Sequence, residues 1–534
     1  MKKTILVILL ALVIHYGQAQ TKVFKEVSDG ISSQIKAIRQ DNALVGYLIF
    51  TRLEKANIDS FNYQITIMDE NLNNIGKVNF KEIGLTLQGV TFDQDVLCLG
   101  YLKSNVLDQE YKNQSALRKA IPNAKNFVMT QFISLDGKII KTNSISANIN
   151  VGKNNSQYYN KVYANTSLAS PILVKNIPQK GFACFFGDEG GNNLMVFDTK
   201  GKLLWQKKLD VKANEFFMLT SGSDIYLLTK KNHNVGTIGI QGGYLALDNE
   251  GDYDLICYRY NDIKSETHFA LKDDNGNQLK VLKFDNDIAT GKPYLAGCII
   301  DPKKEDKYAS GRNLSKAPYM GLFTININGT LPKDVKKVFT YWSDGSTAGV
   351  SARGLFEQTD SYAMFTGAFR DFNGNTYFTG SQVLRRVRWG NIASSVITAP
   401  LIIIPIWILN FGGTSKCKIT DAMLVKQNDK GSLTVENSIP TEHTRYHKAV
   451  APLSLYNTNS FYTVFNTDTK TNYLIVDDEK NISIYNVKTK QVVRTIPHKD
   501  GNVKTAVFPA KEGSVMISEY NSREKSTRVS IEAL

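Results

Sequence analysis

The sequence predicts an all-β chain folded as a β-propeller of about seven four-stranded blades. Three observations carry that expectation. A strand–turn–strand pattern recurs along the chain, further apolar strand-like runs precede most of its copies, and the last residues supply extra strands after the final copy.

Taken in order, the first element is a leader. Lys2 and Lys3 precede the apolar run Ile5–Ile14, and Gly17-Gln18-Ala19 places small residues at cleavage positions. Residues 1–19 therefore read as a signal peptide, too short for a stable membrane anchor. The following "AQTKVF" has no cysteine for a lipid anchor. Export through the Sec pathway is expected, to the periplasm, the outer-membrane periphery or the medium. Residues 20–42, containing "FKEVSDGISSQIKAIRQDN", read as an N-terminal leading segment with room for a short helix. The propeller is expected over residues 43–534, with a hydrophobic insertion at 391–415.

With 42% hydrophobic and 21% charged residues, the composition is that of a globular chain rather than a disordered one. Its 25 Tyr and 26 Phe suit strands. The formal net charge of +14 implies affinity for anionic surfaces. Lys and Arg are nonetheless spread along the chain, without the aromatic-interleaved basic block of a nucleic-acid groove, so no nucleic-acid partner is expected. Of the five cysteines, Cys98, Cys184, Cys257 and Cys298 each lie inside an apolar strand-like run. They read as small buried hydrophobes rather than as disulfide partners. Cys417, between Lys416 and Lys418, has the one activating setting.

The repeated pattern is seen in "FNYQITIMDENLNNIGKVNF", "FVMTQFISLDGKIIKTNSI", "NLMVFDTKGKLLWQKKL" and "HFALKDDNGNQLKVLKF". It returns in "GLFTININGTLPKDVKKVF", "DAMLVKQNDKGSLTVENSI" and "NISIYNVKTKQVVRTI". Its turns are built on Asp136-Gly137, Lys200-Gly201, Asn275-Gly276, Asn328-Gly329 and Lys430-Gly431, residues that accept the positive φ of tight hairpins. The copies recur at roughly 50–75 residues, the period of a four-stranded blade closed by an outer hairpin. A sandwich array would require polar linkers between units, and none is rich in Pro or Ser. The C-terminal run "NVKTAVFPAKEGSVMISEYNSREKSTRVSIEAL" supplies strands expected to pair into the first sheet and close the ring.

"FDTKGKLLWQKKL" resembles the outer hairpin of a quinoprotein-type propeller blade. "SFNYQITIMDENLNNIG", "DVLCLGYLKSN", "FTYWSDGS" and "GAFRDFNGNTYFTGS" resemble an uncharacterised family of exported proteins of Bacteroidota, a domain of unknown function. That resemblance covers most of the mature chain. It implies no activity, and the hairpin likeness implies no quinone-site residues.

Candidate chemistry is sparse. "TEHTRYHK" spaces His443 and His447 as metal ligands on a helix, but Pro440 and nearby strand signals point to a solvated connection. "DNEGDYD" offers Asp248, Glu250, Asp252 and Asp254 as alternating oxygen ligands for calcium. Its glycine falls too early for an EF-hand loop, so an acidic turn is the competing reading. "GDEGGNN" reads as a flexible turn. The chain has no nucleophile elbow or Walker loop, and no catalytic residue or cofactor-binding residue is assigned.

Between Arg388 and Lys416 no side chain is charged. As a helix, residues 392–411 would match the ~30 Å hydrocarbon thickness of a bilayer. Pro400 and Pro405 break the helical ladder, and a single crossing would separate strands of one ring. Burial against the propeller is one reading. A hydrophobic excursion is the other, in which Ile402, Ile403, Ile404, Ile406, Trp407 and Leu409 meet a membrane or a partner. Arg385, Arg386 and Arg388 would face its anionic surface. The function expected from sequence is an exported binding or scaffolding module of the cell envelope, with an envelope protein or an anionic membrane surface as partner. The alternative is a propeller enzyme acting on a glycan or another envelope polymer, which would require two facing carboxylates.

Overall fold

The computed structural model describes residues 20–25, 32–40, 43–107, 109, 111–147, 172–188, 191–211, 215–232, 237–240, 243–246, 251–300, 319–387, 415–442, 446–448, 460–499, 501–511 and 513–534. The first described strand is β1 (Gln20–Lys25), which joins the last blade. Blade 1 follows, made of β2 (Ser32–Gln40), β3 (Ala43–Lys55), β4 (Ser60–Asp69) and β5 (Asn74–Ile83). Blade 2 comprises β6 (Leu85–Asp93), β7 (Val96–Ser104), β8 (Asn126–Ser134) and β9 (Ile139–Ser146). Blade 3 contains β10 (Leu173–Ile177), β11 (Gly181–Asp188), β12 (Gly191–Phe197) and β13 (Leu203–Leu209).

In blade 4, β14 (Glu215–Ser221) and β15 (Asp224–Asn232) precede a separate hairpin of β16 (Thr237–Ile240) and β17 (Gly243–Ala246). Its outer half is β18 (Gly251–Arg259) and β19 (Asp262–Leu271). Blade 5 runs through β20 (Leu279–Asn286), β21 (Pro293–Ile300), β22 (Tyr319–Ile327) and β23 (Val335–Tyr341). Blade 6 holds β24 (Tyr362–Arg370), β25 (Thr376–Val387), β26 (Ser415–Gln427) and β27 (Leu433–Ile439), with β28 (Tyr446–Lys448) added to β26. Blade 7 is β29 (Ser460–Asn466), β30 (Thr471–Asp477), β31 (Asn481–Asn486) and β32 (Gln491–Pro497). The final blade pairs β33 (Val503–Pro509), β34 (Ser514–Asn521) and β35 (Ser526–Ala533) with β1.

The ring thus has eight blades, not seven. The eighth is invisible to a search for outer hairpins because its third and fourth strands come from opposite ends of the chain. Gln20 pairs with Ile531 and Lys25 with Ser526. The C-terminal strands therefore do not enter the first sheet; they make a blade of their own with β1. Residues 20–42, expected as a leading segment with room for a helix, instead supply the strands β1 and β2. One repeat also differs: "HFALKDDNGNQLKVLKF" joins β19, the outer strand of blade 4, to β20, the inner strand of blade 5. The Asn275-Gly276 turn is a crossover between blades, and the outer hairpin of blade 4 is β18–β19.

The sequence dictates this stacking because the middle strands are apolar on both faces. Every residue of β21 is buried, and β11 is buried over Gly181–Gly187, whereas the outer strand β9 is mostly exposed. A sheet with two apolar faces requires a neighbour on each side. Each neighbouring pair of blades accordingly shares one apolar cluster. Phe50, Tyr63, Leu99 and Met129 fill the space between blades 1 and 2. Tyr47, Met68, Met516 and Ile531 do the same between blades 1 and 8.

The outer turns lock onto the preceding blade. Gly201 has φ +77°, and a Cβ there would meet the Phe132 ring of blade 2 at 2.4 Å. The Asn143 side chain donates to the Gly201 carbonyl at 3.1 Å. In the same way Thr340 of blade 5 donates to the Gly431 carbonyl of blade 6 at 2.6 Å. The glycine in these hairpins thus serves packing between blades as well as turn geometry.

The thiols of Cys98, Cys184, Cys257 and Cys298 are buried, and burial pushes those of Cys184 and Cys257 up to about 12. A thiol titration of the native protein leaves these four unlabelled and labels them on denaturation; rapid native labelling of any would contradict their placement. Gly201→Ala combines a positive φ with a ring collision, so the melting temperature falls, at a cost of about 1–3 kcal/mol. An unchanged melting curve would count against the contact. Truncation before Asn502 removes three strands of blade 8 and strips the neighbouring clusters of Val507, Val515, Met516 and Ile531. With each large side chain worth ~1.5–3 kcal/mol, the truncated chain aggregates or loses its cooperative transition. A soluble, monomeric truncation of equal thermal stability would exclude the closed ring.

Candidate functional site

Antiparallel pairing sorts the connections onto two faces. Turns between the first and second strands, and between the third and fourth, lie at one end of every blade. The longest described among them is 328–334. The opposite face receives the long connection 342–361 and the described part of 105–125, and the strand ends at Ile300, Tyr319, Val387 and Ser415 lie there too. It also carries the short helix Gln114–Ala120.

On the tight-turn face, side chains at the ends of successive inner strands form a belt of hydrogen bonds. The Asn176 amide donates to Thr91 Oγ1 at 2.9 Å, and Thr220 Oγ1 donates to the Asn176 carbonyl at 2.6 Å. Asn286 Nδ2 donates to the Thr220 carbonyl at 2.9 Å. These contacts tie blades 2, 3, 4 and 5 at their inner edges. Arg370 of blade 6 continues the chain, donating to Asp287 at 2.9 Å and to Asn326, with its guanidinium 4.4 Å from the centre of the Tyr294 ring. The Arg370 carbonyl in turn accepts from Asn472 of blade 7 at 3.1 Å.

Above this belt lies a cleft of about 530 Å³ between blades 3, 4 and 5. Its cations are Lys180, Arg259 and Lys292. The two-residue turn joining Ser221 to Asp224 supplies the middle of the floor, with Gly222 at φ +56°. Ser221 Oγ donates to the Gly291 carbonyl at 2.8 Å, so the turns of blades 4 and 5 are fixed to each other. Asp287 accepts from the amides of Ala289 and Thr290, both at 2.9 Å, and so shapes the turn that presents Lys292. On the other wall, the Lys180 ammonium lies 5.5 Å from the centre of the Tyr260 ring. Tyr260 is held by Trp205, whose indole donates to its carbonyl at 2.7 Å.

Asp224 is the one carboxylate among the cleft-lining side chains. Burial raises its pKa above the usual carboxylate range, opposed by Arg259, by a 3.4 Å hydrogen bond from the Tyr226 hydroxyl and by Lys180. Lys292 Nζ donates to Asn328 Oδ1 at 3.3 Å.

The central channel adds charge on the same side. Arg39 of β2, Lys175 of β10 and the Lys283–Asp285 pair of β20, 2.8 Å apart, stand on inner strands. Arg39 and Lys175 reach water through the lumen, yet the surrounding walls strip hydration from them and lower both pKa values. Tyr47 and then Asp285 partly restore the Arg39 value, and Asp285 partly restores that of Lys175, so charges from blades 1, 3 and 5 interact.

The residues singled out from sequence fall elsewhere. Asp248 and Glu250 lie outside the described residues, while Asp252 and Asp254 occupy one side of β18. The Asp252 carboxylate is 3.5 Å from Lys272 Nζ, an ammonium where a calcium ion would compete. No group of three potential metal ligands occurs among the described residues. Arg388, Ile402, Ile403, Ile404, Ile406, Trp407 and Leu409 lie outside the described residues, as does His443. Arg385 and Arg386 are on β25, opposite Cys417 and Lys416 of β26, and His447 is on the strand β28. None of those that are described joins the cleft. The cleft residues escaped notice because they come from turns of three blades; their one shared signal is a place at or beside the ends of strands facing the tight-turn side.

No family model matches the chain, and no curated protein matches it. Among solved structures it is similar to the Dos1 propeller, at 8% identity over 97% of this chain and 95% of that one, with a TM-score of 0.37. It is similar to the WD40 domain of SCAP from fission yeast, at 8% identity over 95% and 98% of the two chains, with a TM-score of 0.37. The C-terminal WD40 domain of Sif2 shares 6% identity over 92% of each chain, with a TM-score of 0.41. No residue role or activity is carried over from these likenesses.

Proposed function

We propose that the protein is an exported binding or scaffolding propeller of the cell envelope, attached through the apolar connection of blade 6 to an anionic membrane surface or an envelope protein. The observation that carries this reading is the register of β25 and β26. The two strands stay paired out to Val387 and Ser415, and β28 joins them there. The uncharged stretch therefore leaves and re-enters the fold at one point of one blade, which suits an excursion rather than a passage from one side to the other. No helix among the described residues is long and apolar enough to cross a membrane.

Energetics favour the same reading. Ile402, Ile403, Ile404, Ile406, Trp407 and Leu409 lie close together in the stretch, and each side chain removed from water contributes ~1.5–3 kcal/mol. Arg385, Arg386 and Arg388 before the stretch, with Lys416 and Lys418 after it, add an attraction to anionic headgroups that salt screens. Such an attachment leaves the tight-turn face free for a second ligand.

The test is the double substitution Ile403→Ser and Trp407→Ser. Sedimentation with phosphatidylglycerol vesicles and with envelope fractions is expected to fall at least about tenfold, while the melting temperature stays that of the parent. Unchanged sedimentation of a folded double variant would refute the attachment. Unfolding of the variant, with undiminished association of its folded fraction, would make the segment core.

A further inference from the structure

The cleft between blades 3, 4 and 5 has a chemistry the attachment does not use. We propose that it binds an anionic saccharide, a short sugar chain bearing carboxylate or sulfate groups. Lys180, Arg259 and Lys292 bring three cations to its walls against the single carboxylate of Asp224. Arg39, Lys175 and Lys283 add three more in the neighbouring lumen against Asp285. Cations concentrated at one face draw anions to it and raise their local concentration.

The rest of the wall selects among anions. Ser223, Asn261 and Asn328 supply a hydroxyl and amides that both donate and accept, the pattern that sugar hydroxyls require, and Ser221 Oγ, its proton given to Gly291, adds an acceptor. An ammonium has three donors, and the Asn328 contact uses one of those on Lys292. The large hydrophobic side chains in the lining, Tyr226 and Ile327, are buried and give an acidic peptide no open pocket for an anchoring side chain. The turns beneath are already fixed by the Ser221–Gly291 and Asp287 bonds. Binding therefore costs little ordering of the protein.

Calorimetry with the mature full-length chain tests this, using tetragalacturonate, a sulfated heparin tetrasaccharide, neutral maltotetraose and hexaglutamate as probes. At least one of the two anionic saccharides binds, and which one identifies carboxylate or sulfate as the group read. Its affinity falls with added salt, and maltotetraose and hexaglutamate bind at least about tenfold more weakly. Arg259→Gln combined with Lys292→Gln weakens that binding at least about tenfold without moving the melting temperature. Because Arg259 faces Asp224, Lys292→Gln alone provides a second variant, expected to weaken binding several-fold with the fold intact. Equal binding of maltotetraose or hexaglutamate, no binding of either anionic saccharide, or full affinity in both variants would overturn the proposal. The Ile403→Ser, Trp407→Ser variant retains saccharide binding, so failure of the membrane attachment and failure of this site are separate results.

Discussion

The structure depends on sheets that are apolar on both faces. A strand such as β21, buried along its whole length, has no side to give to water. Its sheet needs a neighbour on each flank, and so does every neighbour. A linear stack would leave two apolar sheet faces exposed at its ends; a ring leaves none. The pairing of β1 with β35 meets that demand, because it joins the last sheet into one unit across the chain ends. The polar belt from Thr91 through Asn176 and Thr220 to Asn286 acts on the same geometry from inside. It holds inner strands at a common height, which apolar contacts alone, being non-directional, do not specify.

Much of the fold was legible because turn chemistry and strand patterning are local. Asp136-Gly137, Lys200-Gly201 and Lys430-Gly431 marked true outer turns, all with glycine at positive φ. The burial of Cys98, Cys184, Cys257 and Cys298 was legible for the same reason: each lies on a second or third strand, which has a blade on either side. Asn275-Gly276 misled because a tight turn between two strands looks alike whether they share a sheet or belong to adjacent ones. The closing blade was missed because no local pattern links Gln20 to Ile531. The cleft was illegible for a related reason. Lys180, Asp224, Arg259 and Lys292 are ordinary turn or strand-end residues, and their convergence follows from ring geometry alone.

The two faces have different physical characters. One bears tight turns fixed by Asx-type hydrogen bonds, as at Asp287 and Asp371, and so presents side chains at defined positions. The other bears the long connections, where sequence length is free to vary without disturbing the sheets. A ring with this asymmetry presents side chains at fixed positions on one face and longer connections on the other.

The seam in blade 8 also sets an order of events during synthesis. β1 precedes every other described strand in the chain, and its partner β35 follows all of them. Until β33, β34 and β35 are made, β1 carries an unpaired edge, and blades 1 and 7 each have a bare apolar flank. Closure is therefore the terminal step of folding and carries the largest loop-closure entropy in the molecule. An unclosed ring is the form most exposed to chaperones, proteases and mispairing with other chains.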